Sequence, residues 1–154
     1  MVRQRSILSL ILVILTTFLI SCGGPSVATA PPTYTPDQLA KIQVYVPDIQ
    51  VVRDRSKELN NLIQSGEWIK VGNFIHGPMT EARLNMTYVI PNLVPQDQPQ
   101  ARQITKDLLT HLVRIDQAAS AGNTNLALSA YKDVFVDVDK FLQLIPESSP
   151  QAES

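Results

Sequence analysis

Residues 128–145 read LSAYKDVFVDVDKFLQLI, and their spacing decides the fold class. Leu128, Tyr131, Phe135, Val138, Leu142 and Ile145 follow one another at three, four, three, four and three residues. That rhythm holds apolar side chains on one face of an α-helix, whereas a half-buried strand alternates with period two. Just upstream, Gly122-Asn123-Thr124 offers a stop for a preceding helix and a cap for this one.

Read backwards from there, the rhythm recurs three times. One segment carries Ala101, Ile104, Leu108, Leu112, Ile115 and Ala119; an earlier one carries Trp68, Val71, Ile75, Met79, Ala82, Met86, Val89 and Leu93. Between them PNLVPQDQP, with three prolines, is the longest connection. The earliest segment carries Leu39, Ile42, Val46, Ile49, Val52, Leu59 and Leu62, with Ser56 filling the gap. It opens on Thr35-Pro36-Asp37-Gln38, a capping box with proline at the first helical position. Pro47 lies inside this pattern and predicts a kink, or a division after a short leading piece. Ser65-Gly66 forces a tight antiparallel turn into the next segment. The nearest approach to a strand, VYVPDIQVV, has proline in its middle. The expectation is an all-α, up-down-up-down four-helix bundle over residues 36–146.

The segment before the bundle is organised differently. Arg3 and Arg5 precede an apolar run, Ile7 to Ile20, broken only by Ser9, Thr16 and Thr17. Fourteen helical residues reach about 21 Å, short of the ~30 Å needed to cross a bilayer core. A positive start, a short apolar run and a small residue before a boundary make a signal peptide over 1–21. The run ends in Leu19-Ile20-Ser21-Cys22, which holds the chain's single cysteine. This resembles the bacterial lipobox, in which the cysteine receives a diacylglycerol and becomes the mature N-terminus. Cys22 is thus the expected lipid anchor, and two or more acyl chains suffice for stable membrane attachment. Residues 22–35, rich in Gly, Pro, Ser, Thr and Ala, read as a tether with a reach of ~40 Å. Residues 147–154 read as a disordered tail.

Loss of residues 1–21 would lower Lys+Arg from 13 to 11 against 14 Asp+Glu, leaving a net charge of −3. That excludes the footprint of a nucleic-acid-binding domain. With one cysteine there is no disulfide framework, so the core alone must hold the domain.

Catalytic groups are scarce. There is no CxxCH, HExxH or ExxH motif and no glycine-rich phosphate loop. Asp107 and His111, four apart, share a helix face as weak metal candidates, to which His76 in IHGP is a third. The bland alternatives are a solvated histidine–carboxylate pair and a histidine placed by a proline kink or break. Arg102 and Lys106 share a face of the third helix, and Asp133 and Asp137 a face of the fourth. Each pair reads either as solvated surface or as a docking patch. Tyr34, in the tether beside prolines, has no packing role in this pattern and is a candidate partner contact.

The chain resembles the PsbQ-like lipoproteins of cyanobacteria. The resemblance rests on the lipobox and proline-rich tether, QVYV followed by proline, EWIKVGNFIHGP, LLTHLVRIDQAA and FVDVDKFLQLIP. It implies a four-helix bundle that is not an enzyme, carries no cofactor beyond the lipid, and is anchored on the lumenal side of the thylakoid membrane. The implied partner is the photosystem II core, near the manganese-stabilising protein and a core antenna protein. The implied role is stabilising that complex and supporting oxygen evolution through calcium and chloride retention. Only Cys22 carries over as a functional residue. Two other classes are a periplasmic or outer-membrane lipoprotein scaffold and a metal or redox bundle using His76 and His111. GNTNLALSAY resembles a tetratricopeptide helix, but no 34-residue repeat recurs.

Overall fold

Thr35 starts the first helix as its sequence predicts. Its side chain accepts a bond from the Gln38 backbone N–H at 3.2 Å, while Gln38 Oε1 accepts from the Thr35 N–H at 2.9 Å. The computed structural model describes residues 33–147. The signal peptide, Cys22, the tether up to residue 32 and the tail beyond residue 147 lie outside the described residues. Among the described residues six α-helices form four arms: α1 (Pro36–Asp54) with α2 (Ser56–Gln64), α3 (Trp68–Phe74) with α4 (Thr80–Val89), α5 (Gln98–Ser120) and α6 (Thr124–Gln143). Each arm packs on its sequence neighbour, and the fourth closes the ring on the first. Among the described residues there is no strand, and no helix is long and apolar enough to cross a membrane.

Of the kink and the division left open at Pro47, the division does not occur. α1 runs through the proline to Asp54, and the arm breaks instead at Arg55 before restarting at Ser56. Pro47 points to solvent, where water can replace the hydrogen bond that proline does not donate. At the Arg55 break the guanidinium lies 4.9 Å from the Phe74 ring centre and bonds Glu58 at 2.8 Å.

IHGP does perturb its helix, as a π turn rather than a break. Residues Ile75–Met79 widen by one residue between α3 and α4, and the Thr80 hydroxyl donates to the Ile75 carbonyl at 3.0 Å. A π turn accommodates the donor missing at Pro78 without ending the arm. The apolar stripe survives it: Val71, Ile75, Met79, Ala82, Met86, Val89 and Leu93 are all buried, with Trp68 partly buried at the end.

Two turns at one end of the bundle share a design. Gly66 and Gly122 adopt φ of +66° and +64°, left-handed conformations that favour glycine. Each closes a Schellman motif: Gly66 and Glu67 N–H donate to Ile63 and Leu62, and Gly122 and Asn123 N–H donate to Ala119 and Ala118. The Trp68 indole nitrogen would lie 3.8 Å from a Cβ on either glycine, so one side chain spans both turns. The opposite end is also packed. PNLVPQDQP contains a 3₁₀ turn, Ile90–Asn92, and its Leu93 and Val94 are buried.

The fourth arm differs from its reading. Its buried line is Ala127, Ala130, Val134, Val138 and Phe141, with Phe135 at the margin, while Leu128, Tyr131, Leu142 and Ile145 flank it half-buried. The helix is turned by about one residue from the expected face. α5 and α6 make the most extensive contact of the bundle, and Ala118, Ala127 and Ala130 along it are fully buried. Small side chains on the centre line let the backbones approach, and the large ones cover the edges.

Candidate functional site

Among the described residues, several charged side chains bridge one arm to another. Arg53 Nε donates to Asp139 at 2.8 Å, joining the first and fourth arms. Asn85 donates to Asp48 at 3.2 Å, joining the second and first. Arg114 donates to Asp133 at 3.2 Å, joining the third and fourth.

Both histidines join this network. His76 Nε2 lies 3.0 Å from Asp116 Oδ1, bridging the π turn to α5 in an exposed pair. His111 Nδ1 lies 2.7 Å from Asp137 Oδ2, bridging α5 to α6. An ionised carboxylate only accepts, so Nδ1–H is the donor there. Asp107, offered with His111 as a ligand pair, instead accepts from Gln103 Nε2 at 2.8 Å on its own helix. Among the described residues no group of three or more His, Cys, Asp or Glu side chains is placed to hold a metal ion.

Asp137 does not belong to an open docking patch with Asp133. It is only 4% exposed, whereas Asp133 is open enough to reach Arg114 at the surface. The cause is the rotation of α6: Asp137 follows Val134 by three residues and shares its inward face. Burial pushes the Asp137 carboxyl above the usual carboxylate range, opposed by the His111 hydrogen bond and by Lys140, with Asp107 adding to the rise. The carboxylate is shielded from water yet shallow, because His111 covers it while staying partly exposed.

Tyr34 has a packing role that its tether position concealed. It lies partly buried against the core, with its hydroxyl beside the Val94 backbone. Burial raises its phenol above the ordinary value. Residues 33–35 thus join the bundle at the end that holds the α4–α5 connection.

Arg102 and Lys106 are brought together as expected, and the fold adds to them Arg83 from α4. The three cations ring a cleft of about 540 Å³ between α4 and α5, with Ile90, Pro91, Thr87, Thr105 and Leu109 as its other walls. Sequence reading missed Arg83 because it lies on another segment. Leu109 and Val113, 45% and 46% exposed on α5, were legible as apolar residues outside the core stripe.

The PsbQ family, described as oxygen evolving enhancer protein 3, matches residues 3–146. The chain belongs to the PsbQ family. It is also 42% identical over 150 residues to CyanoQ of Synechocystis sp., an alignment covering 97% of this chain and all of that relative. The PsbQ match spans all four arms, together with the segment expected to be signal peptide and tether.

Proposed function

We propose that this PsbQ-family chain is a non-catalytic extrinsic subunit of photosystem II on the lumenal side of the thylakoid membrane, held there by lipid on Cys22. It stabilises the assembled complex near the manganese-stabilising protein and a core antenna protein, and supports oxygen evolution when calcium or chloride is scarce. The observation that carries this reading is the family match across essentially the whole chain, lipobox segment included. The arrangement of the polar side chains supports it. Aspartates and histidines that could have served chemistry are spent bridging helices, which suits a rigid module that acts by docking.

The test is affinity capture from detergent-solubilised membranes of the source organism, with the full chain tagged at its C-terminus. Photosystem II core subunits with oxygen-evolving activity are expected in the eluate. Recovery of unrelated envelope proteins without them would reduce the chain to a lipoprotein scaffold. Cys22→Ser should release the protein into the soluble fraction, and a strain lacking the gene should lose oxygen evolution faster under calcium or chloride depletion.

A further inference from the structure

Eleven Lys and Arg residues fall within residues 33–147. Among the described residues five of them, Lys41, Arg53, Arg55, Lys70 and Arg114, form ion pairs. Of the other six, three converge on one place: Arg83, Arg102 and Lys106 around the α4–α5 cleft, which no acidic side chain lines. Among the described residues Arg102 bonds only the neutral Gln98 side chain, at 3.3 Å. Three like charges around one cleft with no acidic side chain in its lining repel one another.

The cleft continues into an apolar face. Arg102, Lys106, Leu109 and Val113 succeed one another at four, three and four residues, so they form one ridge along α5. Its first half is cationic and its second half presents two aliphatic side chains, each nearly half exposed. Ile90, buried at the base of the cleft, gives it an apolar floor.

We infer that this cleft and ridge are the docking surface for an acidic polypeptide segment of a protein partner, one whose carboxylates meet Arg83, Arg102 and Lys106 while an apolar side chain covers Leu109 and Val113. The inference rests on the reading of the chain as a photosystem II subunit, and it names the face that would engage the complex. Charge complementarity selects the occupant. A concave, apolar-floored cleft fits an inserted segment better than a flat anionic membrane. The surface lies in the half of the bundle that includes the α4–α5 connection and the packed Tyr34.

The test compares the full-length tagged chain with R102E/K106E, both captured from solubilised photosynthetic membranes at two salt concentrations. Capture of photosystem II should fall roughly tenfold or more in the variant, and wild-type capture should weaken as salt rises. Leu109→Ser should weaken capture with little change in its salt dependence. K57E/K132E, an equal charge change at unpaired lysines away from the cleft, should bind as wild type, and all variants should melt alike. Photosystem II captured equally by R102E/K106E overturns the surface and leaves the proposed function standing. Photosystem II absent from the wild-type eluate overturns the function, and this partner with it. Flotation of wild type, but not R102E/K106E, on protein-free phosphatidylglycerol vesicles would make the cleft a lipid site instead. A wild-type dimer that R102E/K106E converts to monomer in sedimentation would make the occupant a second copy. Either of these two results overturns the acidic segment.

Discussion

Replacing His111 with alanine strips the buried Asp137 carboxylate of the hydrogen bond it now accepts at 2.7 Å. Removing one partner of a fully buried pair costs about 3–5 kcal/mol, because the remaining charge is left desolvated. Here the His111 side chain is 23% exposed and Asp137 lies just beneath it, so water can follow into the vacated space. The expected loss is therefore smaller, about 2 kcal/mol, or a melting temperature lower by about 8 °C.

The cause is separable from lost packing by a second substitution. With the lowering hydrogen bond gone, burial and Asp107 push the Asp137 carboxyl up further, opposed only by Lys140. A carboxyl whose folded pKa lies above its unfolded value stabilises the fold below the unfolded value, near 3.9. That contribution is lost as pH rises through the folded value. In the H111A background, Asp137→Asn should therefore recover about 1 kcal/mol at pH 7.5 and almost nothing at pH 4. Urea melts followed by circular dichroism at the two pH values read this directly. A second substitution that destabilises at pH 7.5, or acts equally at both pH values, would show that desolvated charge at Asp137 is not what His111 relieves.

Ala130→Leu should cost about 2 kcal/mol in urea denaturation, because the fully buried alanine sits on the close α5–α6 seam; full tolerance would place that seam elsewhere. Gly66→Ala and Gly122→Ala should each lose about 1–2 kcal/mol from positive φ alone, since a Cβ would meet Trp68 at an ordinary 3.8 Å; a denaturation midpoint unchanged in both would contradict the left-handed turns. Arg53→Ala should change stability by no more than about 0.5 kcal/mol, because its bridge to Asp139 is 46% and 42% exposed; a loss above about 1.5 kcal/mol would mark a cooperative network linking the first and fourth arms.

The second arm was the most legible from sequence because its large apolar residues occupy the line that faces the core. From Val71 to Leu93 every residue of the expected stripe is buried, even across the π turn. On the fourth arm the same method chose Phe135 and Val138, which are buried, together with Leu128, Tyr131, Leu142 and Ile145, which pack at the edges. Weighting by size hides a seam built from alanines, and the same error places Asp137 outside when its partner, His111, lets it sit within. At Pro47 the sequence left a kink or a division open, and the helix is not divided there. A proline's effect depends on whether its helix face meets water, and the periodicity that put Pro47 off the stripe already held that information.

Half of the candidate surface was legible in the same way. The four-residue spacing of Arg102 and Lys106 joins them on a helix, but no spacing within α5 brings Arg83 to them. That juxtaposition follows from the packing of α4 on α5, a property of tertiary structure alone. The distribution of pairing then separates surface from structure. Arg114 donates to Asp133 across the α5–α6 seam, and His111 hydrogen-bonds the buried Asp137 there, so these side chains already have partners within the fold. Arg83, Arg102 and Lys106 hold nothing together, and substituting them should leave the fold intact while changing what the bundle binds.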